Sequence, residues 1–318
     1  MPTPVLRKYA LKRLLVAVPS LLIASVIVFS LARLVPGDVV TLMMEENQYA
    51  KDLDEMRARL GLDRPIYAQY FEWMGRALSG DLGRSLYTSR PVLQELAWRL
   101  PVSLELGAVA LVFAVLVGVP IGIVAAVRQD TAQDYVARSG AILGLAVPGF
   151  WLGTLVVVLP AIYFGWSPSI QFTRFGDDPW GHTTQFLLPG FLLGIASAAS
   201  IMRLTRTQLL EVLRQDYVRT AWSKGLGEPR VVLKHSLKNA LIPVVTVLGI
   251  QIAQILSGTV IFESIFGLPG MGRFLFDAIT ERDYPVIQGI NLVVVATVVF
   301  VNLAVDVAYA WLDPRIRY

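Results

Sequence analysis

Six uncharged apolar runs punctuate the chain, each close to the roughly 20 residues a helix needs to cross a hydrocarbon core. They cover 14–32 (LLVAVPSLLIASVIVFSLA), 106–127, a third opening at Ser139, 183–202, 239–262 and 284–305. The third stays charge-free to Thr173, too long for one crossing, and Pro160, Gly165 and Pro168 place its end near Phe164. The last continues past Asp306 to Trp311. The pattern predicts an all-α integral membrane protein with six transmembrane helices. The first run exceeds the roughly 7–15 apolar residues of a signal peptide, so it reads as an uncleaved helix despite the SLA at 30–32.

Composition agrees. Of 318 residues, 55% are hydrophobic and 16% charged, with mean hydropathy +0.58, which leaves too few polar side chains for a water-facing skin. The chain has no cysteine, excluding disulfides, thiolate metal sites, iron–sulfur clusters and cysteine nucleophiles. The two histidines, His182 and His235, lie far apart and read as members of different loops, so no metal site is expected. A net charge of +4 is too small to imply nucleic acid; its placement matters more.

Lys and Arg gather in cytoplasmic loops. Arg7, Lys8, Lys12 and Arg13 precede the first run without an acid, eight basic residues face three acids in 203–238, and Arg315 and Arg317 occupy the tail. After the fifth run Glu263, Asp277, Glu281 and Asp283 outnumber Arg273 and Arg282. Both termini and the 203–238 loop are therefore expected inside, N-in and C-in. The long 35–101 loop then lies outside, with eight basic and ten acidic residues. Within it Tyr49, Leu53, Met56 and Leu60 follow helical spacing, as do Ile66, Tyr70, Trp73, Ala77 and Leu78 after Pro65. It is expected as a small lid on the helix ends or as a docking surface for an extracytoplasmic partner. The organisation is thus 1–34 (N-terminal segment and first helix), 35–101 (extracytoplasmic helical subdomain) and 102–318 (membrane core with a cytoplasmic loop at 203–240).

Pro148–Gly149 falls mid-span in the third run and Pro189–Gly190 within the fourth. Each proline frees a carbonyl and kinks its helix, tolerable where neighbours or water satisfy it. Either Gly144, Gly149, Gly194, Ala196, Ser197, Ala198 and Ala199 pack closely against other helices, or the kinks flex beside a pathway. No G-x-x-x-x-G-K-[ST] phosphate loop is present. The run centres carry none of the charges that ion-coupled carriers use, Asp306 near an inner end being the closest exception. An intramembrane serine protease would need G-x-S-G, but Ile255 stands where the first glycine belongs before Ser257–Gly258, and neither histidine lies within a run. No potassium-filter repeat appears. What remains is a membrane pathway driven from outside the chain.

One basic segment, DYVRTAWSKGLGEPRVVLKHSLKNALIP (216–243), sits between the fourth and fifth runs. Tyr217, Val218, Ala221, Trp222 and Gly225 share one helical stripe, and Arg219, Thr220, Ser223 and Lys224 take the other side. Gly225 and Gly227 permit positive φ and close approach, and Pro229 suits the start of a further helix. The prediction is a compact cytoplasmic knuckle with a small-residue tip, suited to a groove on another protein. A basic loop that merely obeys topology is the plainer reading.

These residues resemble the EAA motif of ABC importer permeases, roughly E-A-A, three residues, Gly, then nine residues before I-x-L-P. Here Arg219–Thr220–Ala221 stands in place of E-A-A, Gly225 matches the glycine and ALIP closes the motif. Arg at the first position looks like the peptide-importer branch. LGLDRPIYAQYFEWMGRALSGDLGRSL, RLPVSLELGAVALVFAVLVGVPIGIVAAVR, ESIFGLPGMGRFLFDAI and LDPRIRY are similar to the B-type permease of dipeptide/oligopeptide (peptide/nickel) importers. The likeness thus extends over essentially the whole chain.

The resemblance implies an ABC type I importer permease fold in a prokaryotic cytoplasmic (inner) membrane. It implies that Tyr217, Arg219, Thr220, Ala221, Lys224, Gly225, Leu226, Gly227 and Glu228 form a coupling helix that docks on an ATPase. The implied partners are a homologous C-type permease, two ABC ATPase subunits carrying ATP and Mg, an extracytoplasmic substrate-binding protein and membrane lipid, with no nucleic acid. The chain itself is expected to be non-catalytic and to bind no cofactor. Di- and oligopeptides are the expected cargo, with nickel chelates, glutathione or oligosaccharides as alternatives for the same machinery. An ion-coupled secondary transporter is the more distant alternative, and a receptor or scaffold without transport a third. Gln251, Gln254 and Ser257 are candidates either to line the pathway or to bond the partner permease.

Overall fold

The computed structural model describes residues 3–34, 63–169 and 171–312, without the side chains of 3–14, 31–34, 256, 257 and 305–312. Tyr49, Leu53, Met56, Leu60 and the side chain of Asp306 lie outside the described residues. Among those described, the chain is helical apart from an isolated bridge between Arg84 and Pro91. The helices are α1 Thr3–Leu34, α2 Ile66–Leu78, α3 Val92–Val127, α4 Ala132–Ala146, α5 Gly149–Phe164 and α6 Pro179–Leu213. Then follow α7 Asp216–Ser223, the single-turn α8 Glu228–Arg230, a π-helical turn Val231–Ser236, α9 Leu237–Phe266, α10 Met271–Glu281 and α11 Tyr284–Leu312.

Among the described residues, four stretches are long and apolar enough to cross a membrane: Val92–Val127, Pro179–Leu213, Glu228–Ile255 and Tyr284–Ala304. Two bent pairs, α4 with α5 and Gly258–Phe266 with Met271–Glu281, raise the number to six if each counts as one crossing, and Leu15–Ser30 is a shorter apolar stretch.

Three features depart from the pattern reading. The third run is two helices that meet at 88°, because Pro148 lacks an N–H and drives Val147 out of the helical region to φ −84, ψ 120. Helix α3 starts at Val92, within the stretch read as loop. Its first turns carry the Glu95–Arg99 pair at 3.2 Å, and charges at helical spacing do not register as an apolar run. His182 belongs to the first turn of α6, a helix capped by Asp178, which accepts the Trp180 N–H at 3.1 Å.

The chain forms two compact units, one built on Val102–Pro269 and one on Leu11–Pro101 with Gly270–Phe300, over their described residues. In the first, α3 and α6 meet along a seam of glycines. A Cβ on Gly118, Gly122 or Gly194 would come within 2.6–2.7 Å of a backbone carbonyl of the facing helix. The seam matches the small-residue packing that membrane helices use in place of a hydrophobic driving force. In the second unit, Leu82, Val92, Leu96, Met271, Ala278, Val286, Ile287 and Ile290 form the core. There the buried Asp283 accepts the Ser85 hydroxyl at 2.6 Å and the Leu86 N–H at 3.1 Å, so one acid counted as a loop charge is a structural anchor.

Candidate functional site

Segment 216–230 folds as a two-turn helix, a glycine corner and a return. Val218 and Ala221 are buried against Val231, flanked by Val212, Leu213 and Leu226. Helix α7 closes in a Schellman turn: the Gly225 N–H donates to the Trp222 carbonyl at 2.9 Å and the Leu226 N–H to the Ala221 carbonyl at 3.4 Å. Gly225 sits at φ +77, where a Cβ is strained. A Cβ on Gly225 or Gly227 would meet nothing within 4 Å, so the tip opens outward. Arg219, Thr220, Lys224 and Glu228 are exposed and Leu226 half-buried.

The predicted stripe divides here. Its Val218 and Ala221 face inward, whereas Tyr217, Trp222 and Gly225 are exposed. The physical reason is scale: a two-turn helix covered by one neighbouring turn buries a strip one residue wide. Tyr217 instead accepts a hydrogen bond from Asn239 Nδ2 at 2.8 Å, tying the knuckle to the start of α9. Ala221 supports the tip from beneath.

The knuckle stands on a braced platform. Ala126, Leu209, Val232 and Ala240 pack beneath it. Beside them Arg206 of α6 grips Asp134 of α4 through two hydrogen bonds of 2.7 Å. Asp134 is fully buried and also accepts the Asp130 N–H at 3.1 Å. This bidentate pair satisfies a buried charge that would otherwise be costly. Sequence reasoning missed it, since seventy-two positions separate the partners and no periodicity links them. Between knuckle and α9 the chain makes the π turn: the Leu237 N–H reaches the Val232 carbonyl and Ser236 Oγ donates to Val231 at 3.0 Å. Such turns recur at functional positions in helices.

Helix α9 then runs beside a cavity of about 640 Å³ whose wall includes Val147 at the α4–α5 break, Ser197 and Ser200 of α6, and Gln251 and Gln254 of α9. Gln254 is exposed into this space, while Gln251 is buried and its Oε1 accepts the Ser197 hydroxyl at 2.9 Å. The side chain of Ser257 lies outside the described residues. Interrupted helices at membrane depth are tolerated where they line a cavity or are covered by protein, and this break does the former. None of the lining residues is charged.

Two further polar contacts were not legible in the sequence. Glu263, counted as a loop acid, is fully buried near the end of α9 and accepts the Ser103 hydroxyl at 2.6 Å. His182 places one ring nitrogen 2.8 Å from the Thr173 carbonyl and the other 3.0 Å from Glu105. Both tie a neighbouring element to α3.

The fold is shared with a chain of the MetNI methionine ABC transporter. Two inward-facing structures match with TM-scores of 0.57 and 0.58 at 16% and 17% identity, over 71% of this chain and 100% of theirs. Identity that low speaks for the fold alone.

Sequence likeness goes further. Residues 118–318 match the family described as "Binding-protein-dependent transport system inner membrane component", and residues 6–107 match the corresponding N-terminal family. The chain is 41% identical over 310 residues to the glutathione transport system permease protein GsiC of Escherichia coli (strain K12), covering 98% of this chain and 99% of that one. It is 39% identical over 334 residues, with the same coverage, to the dipeptide transport system permease protein DppB of Alkalihalophilus pseudofirmus. The chain therefore belongs to the binding-protein-dependent inner membrane components, in the peptide/nickel branch of ABC importer permeases.

Proposed function

We propose that this chain forms half of the translocation pathway of an ATP-driven importer for di- or oligopeptides handed over by an extracytoplasmic binding protein. It pairs with a homologous C-type permease, and two ABC ATPase subunits supply ATP hydrolysis; the chain itself catalyses nothing. It crosses the cytoplasmic membrane six times with both termini inside. The observation that carries the reading is the open glycine tip of the knuckle, braced from behind by Val218, Ala221 and Val231 and continuous through the π turn with the helix that bears Gln251 and Gln254. A push on the tip thereby reaches the cavity wall. Peptide cargo fits a mainly apolar, uncharged cavity that carries the Ser197 and Ser200 hydroxyls and the Gln251 and Gln254 amides, since side-chain amides match the peptide group's donor and acceptor. The dipeptide and glutathione systems named for the relatives support the same class of cargo.

The test is a mild-detergent pull-down of tagged protein from native membranes, wild type beside Gly227→Arg. Gly227 has extended backbone at φ −67 and open space around it, so Arg leaves the knuckle intact and blocks only what docks there. Wild type brings down the second permease and the ATPases; the variant keeps the permease, loses the ATPases and ceases uptake. A folded wild type that co-purifies no ATPase overturns the reading.

A further inference from the structure

We propose that α2 is a membrane-interface helix, whose flank of Tyr67, Phe71 and Leu78 beds into the headgroup and acyl boundary of the bilayer beside α1. The proposal rests on α1 crossing the membrane and is independent of the peptide and ATPase assignments.

The depth of α2 follows from what it touches. Its Tyr70 and Trp73 rings pack on Phe29 of α1, with centroids 5.4 and 5.7 Å apart. Tyr70 also shares a 2.9 Å hydrogen bond with Ser25. Ser25 and Phe29 belong to the apolar run that ends at Ala32. At a rise of about 1.5 Å per residue they lie roughly 10 and 5 Å inside its end. Helices that lie in a membrane surface bury their apolar side about 5–10 Å into the headgroup boundary, so α2 is held at that level by its own packing.

The rest of its surface is sorted accordingly. Tyr67, Phe71 and Leu78 fall on one side at helical spacing and are 65%, 70% and 82% exposed. No residue of α2 is fully buried. On the far side, Glu72 joins Arg64 at 3.1 Å and Arg76 at 3.0 Å, all three exposed. Among the described residues the helix therefore presents three flanks: one on α1, one apolar and exposed, one charged. At the depth of Phe29 the bare flank meets lipid, the environment in which aromatic side chains concentrate at membrane boundaries. A water-soluble partner would have to enter the lipid layer to reach Phe71.

The chain has no cysteine, so single labels are readily placed. Phe71→Cys and Glu72→Cys variants of the full chain, assembled with its partners in phosphatidylcholine nanodiscs, would carry a nitroxide spin label. Collision with oxygen, which concentrates in lipid, is compared with collision with a water-soluble nickel chelate. The expected result is a label at 71 relaxed several-fold more by oxygen than by the chelate, with the preference reversed at 72. Leu78→Cys repeats the measurement away from the Phe29 contact and guards against local disturbance at 71. Labels at 71 and 78 as open to the chelate as the one at 72 would overturn the proposal. Shielding of both labels from both reagents would also overturn it, and would assign the flank to a protein partner.

Discussion

Helices α2 and α7 are both short and amphipathic, and a helical wheel would not separate them. In α7 the apolar strip is covered by the chain itself: Val218 and Ala221 lie against Val231 and Leu226, and what remains outside is polar, glycine-tipped and flanked by two half-exposed aromatics. In α2 the strip is wider than its cover. Tyr70 and Trp73 find α1, while Tyr67, Phe71 and Leu78 stay largely exposed among the described residues. The difference lies in what each helix leaves for others. A covered strip with an open tip presents a shape, which suits a protein groove. A bare apolar flank at membrane depth presents area, which suits lipid.

The strongest way to break this comparison is Ala221→Glu. A carboxylate among Val218, Val231 and Leu226 is a buried unpaired charge costing about 3 kcal/mol or more. Uptake is expected to disappear and residues 216–230 to become protease-sensitive, unlike Gly227→Arg, which loses uptake with the protease pattern unchanged. Normal uptake with normal resistance would show that Ala221 is not held inside.

Next is the platform. Arg206→Met takes the two 2.7 Å bonds from buried Asp134 and leaves it Arg138 at 4.0 Å and the Asp130 N–H, a loss of about 3 kcal/mol, read as a lower unfolding temperature of the purified complex. Asp134→Leu combined with Arg206→Met recovers most of it. An unchanged Tm in the single variant would mean that the clasp carries no weight. Gly225→Ala places a Cβ at φ +77 at a cost of about 1 kcal/mol. Reduced but measurable ATPase co-purification is expected, with Gly225→Asn milder because Asn tolerates that region. Smallest is Phe71→Ser, which in detergent should move stability by no more than about 0.5 kcal/mol; a larger fall would show protein covering that flank.

Much of this architecture is written locally. Apolar runs mark the long helices because lipid demands length, and Gly225 marks the knuckle because few residues accept its left-handed backbone. Gly194 of the α3–α6 seam was legible as a close-packing position, whereas Gly118 and Gly122 emerged only with the facing carbonyls in place. What escaped is pairwise: Asp134 with Arg206, Ser103 with Glu263, Ser85 with Asp283. Each joins residues whose separation along the chain carries no signal, and each reads alone as an ordinary surface charge or hydroxyl. The 88° break at Val147–Pro148 lay between these extremes. The proline predicts an interruption, but whether a helix kinks or turns a corner depends on its neighbours, as Pro160, Pro189 and Pro243 inside continuous helices show.

The π turn at Val231–Ser236 sets an angular phase. It holds one residue more than a regular turn, so the chain leaves the knuckle and enters α9 with a fixed offset between the tip and the row of Gln251 and Gln254. Were its six residues to wind as ordinary α-helix instead, every hydrogen bond would still be made. Everything upstream would then rotate about 100° relative to everything downstream. An ATPase gripping the tip, as proposed above, would then drive a helix whose amides face the wrong way.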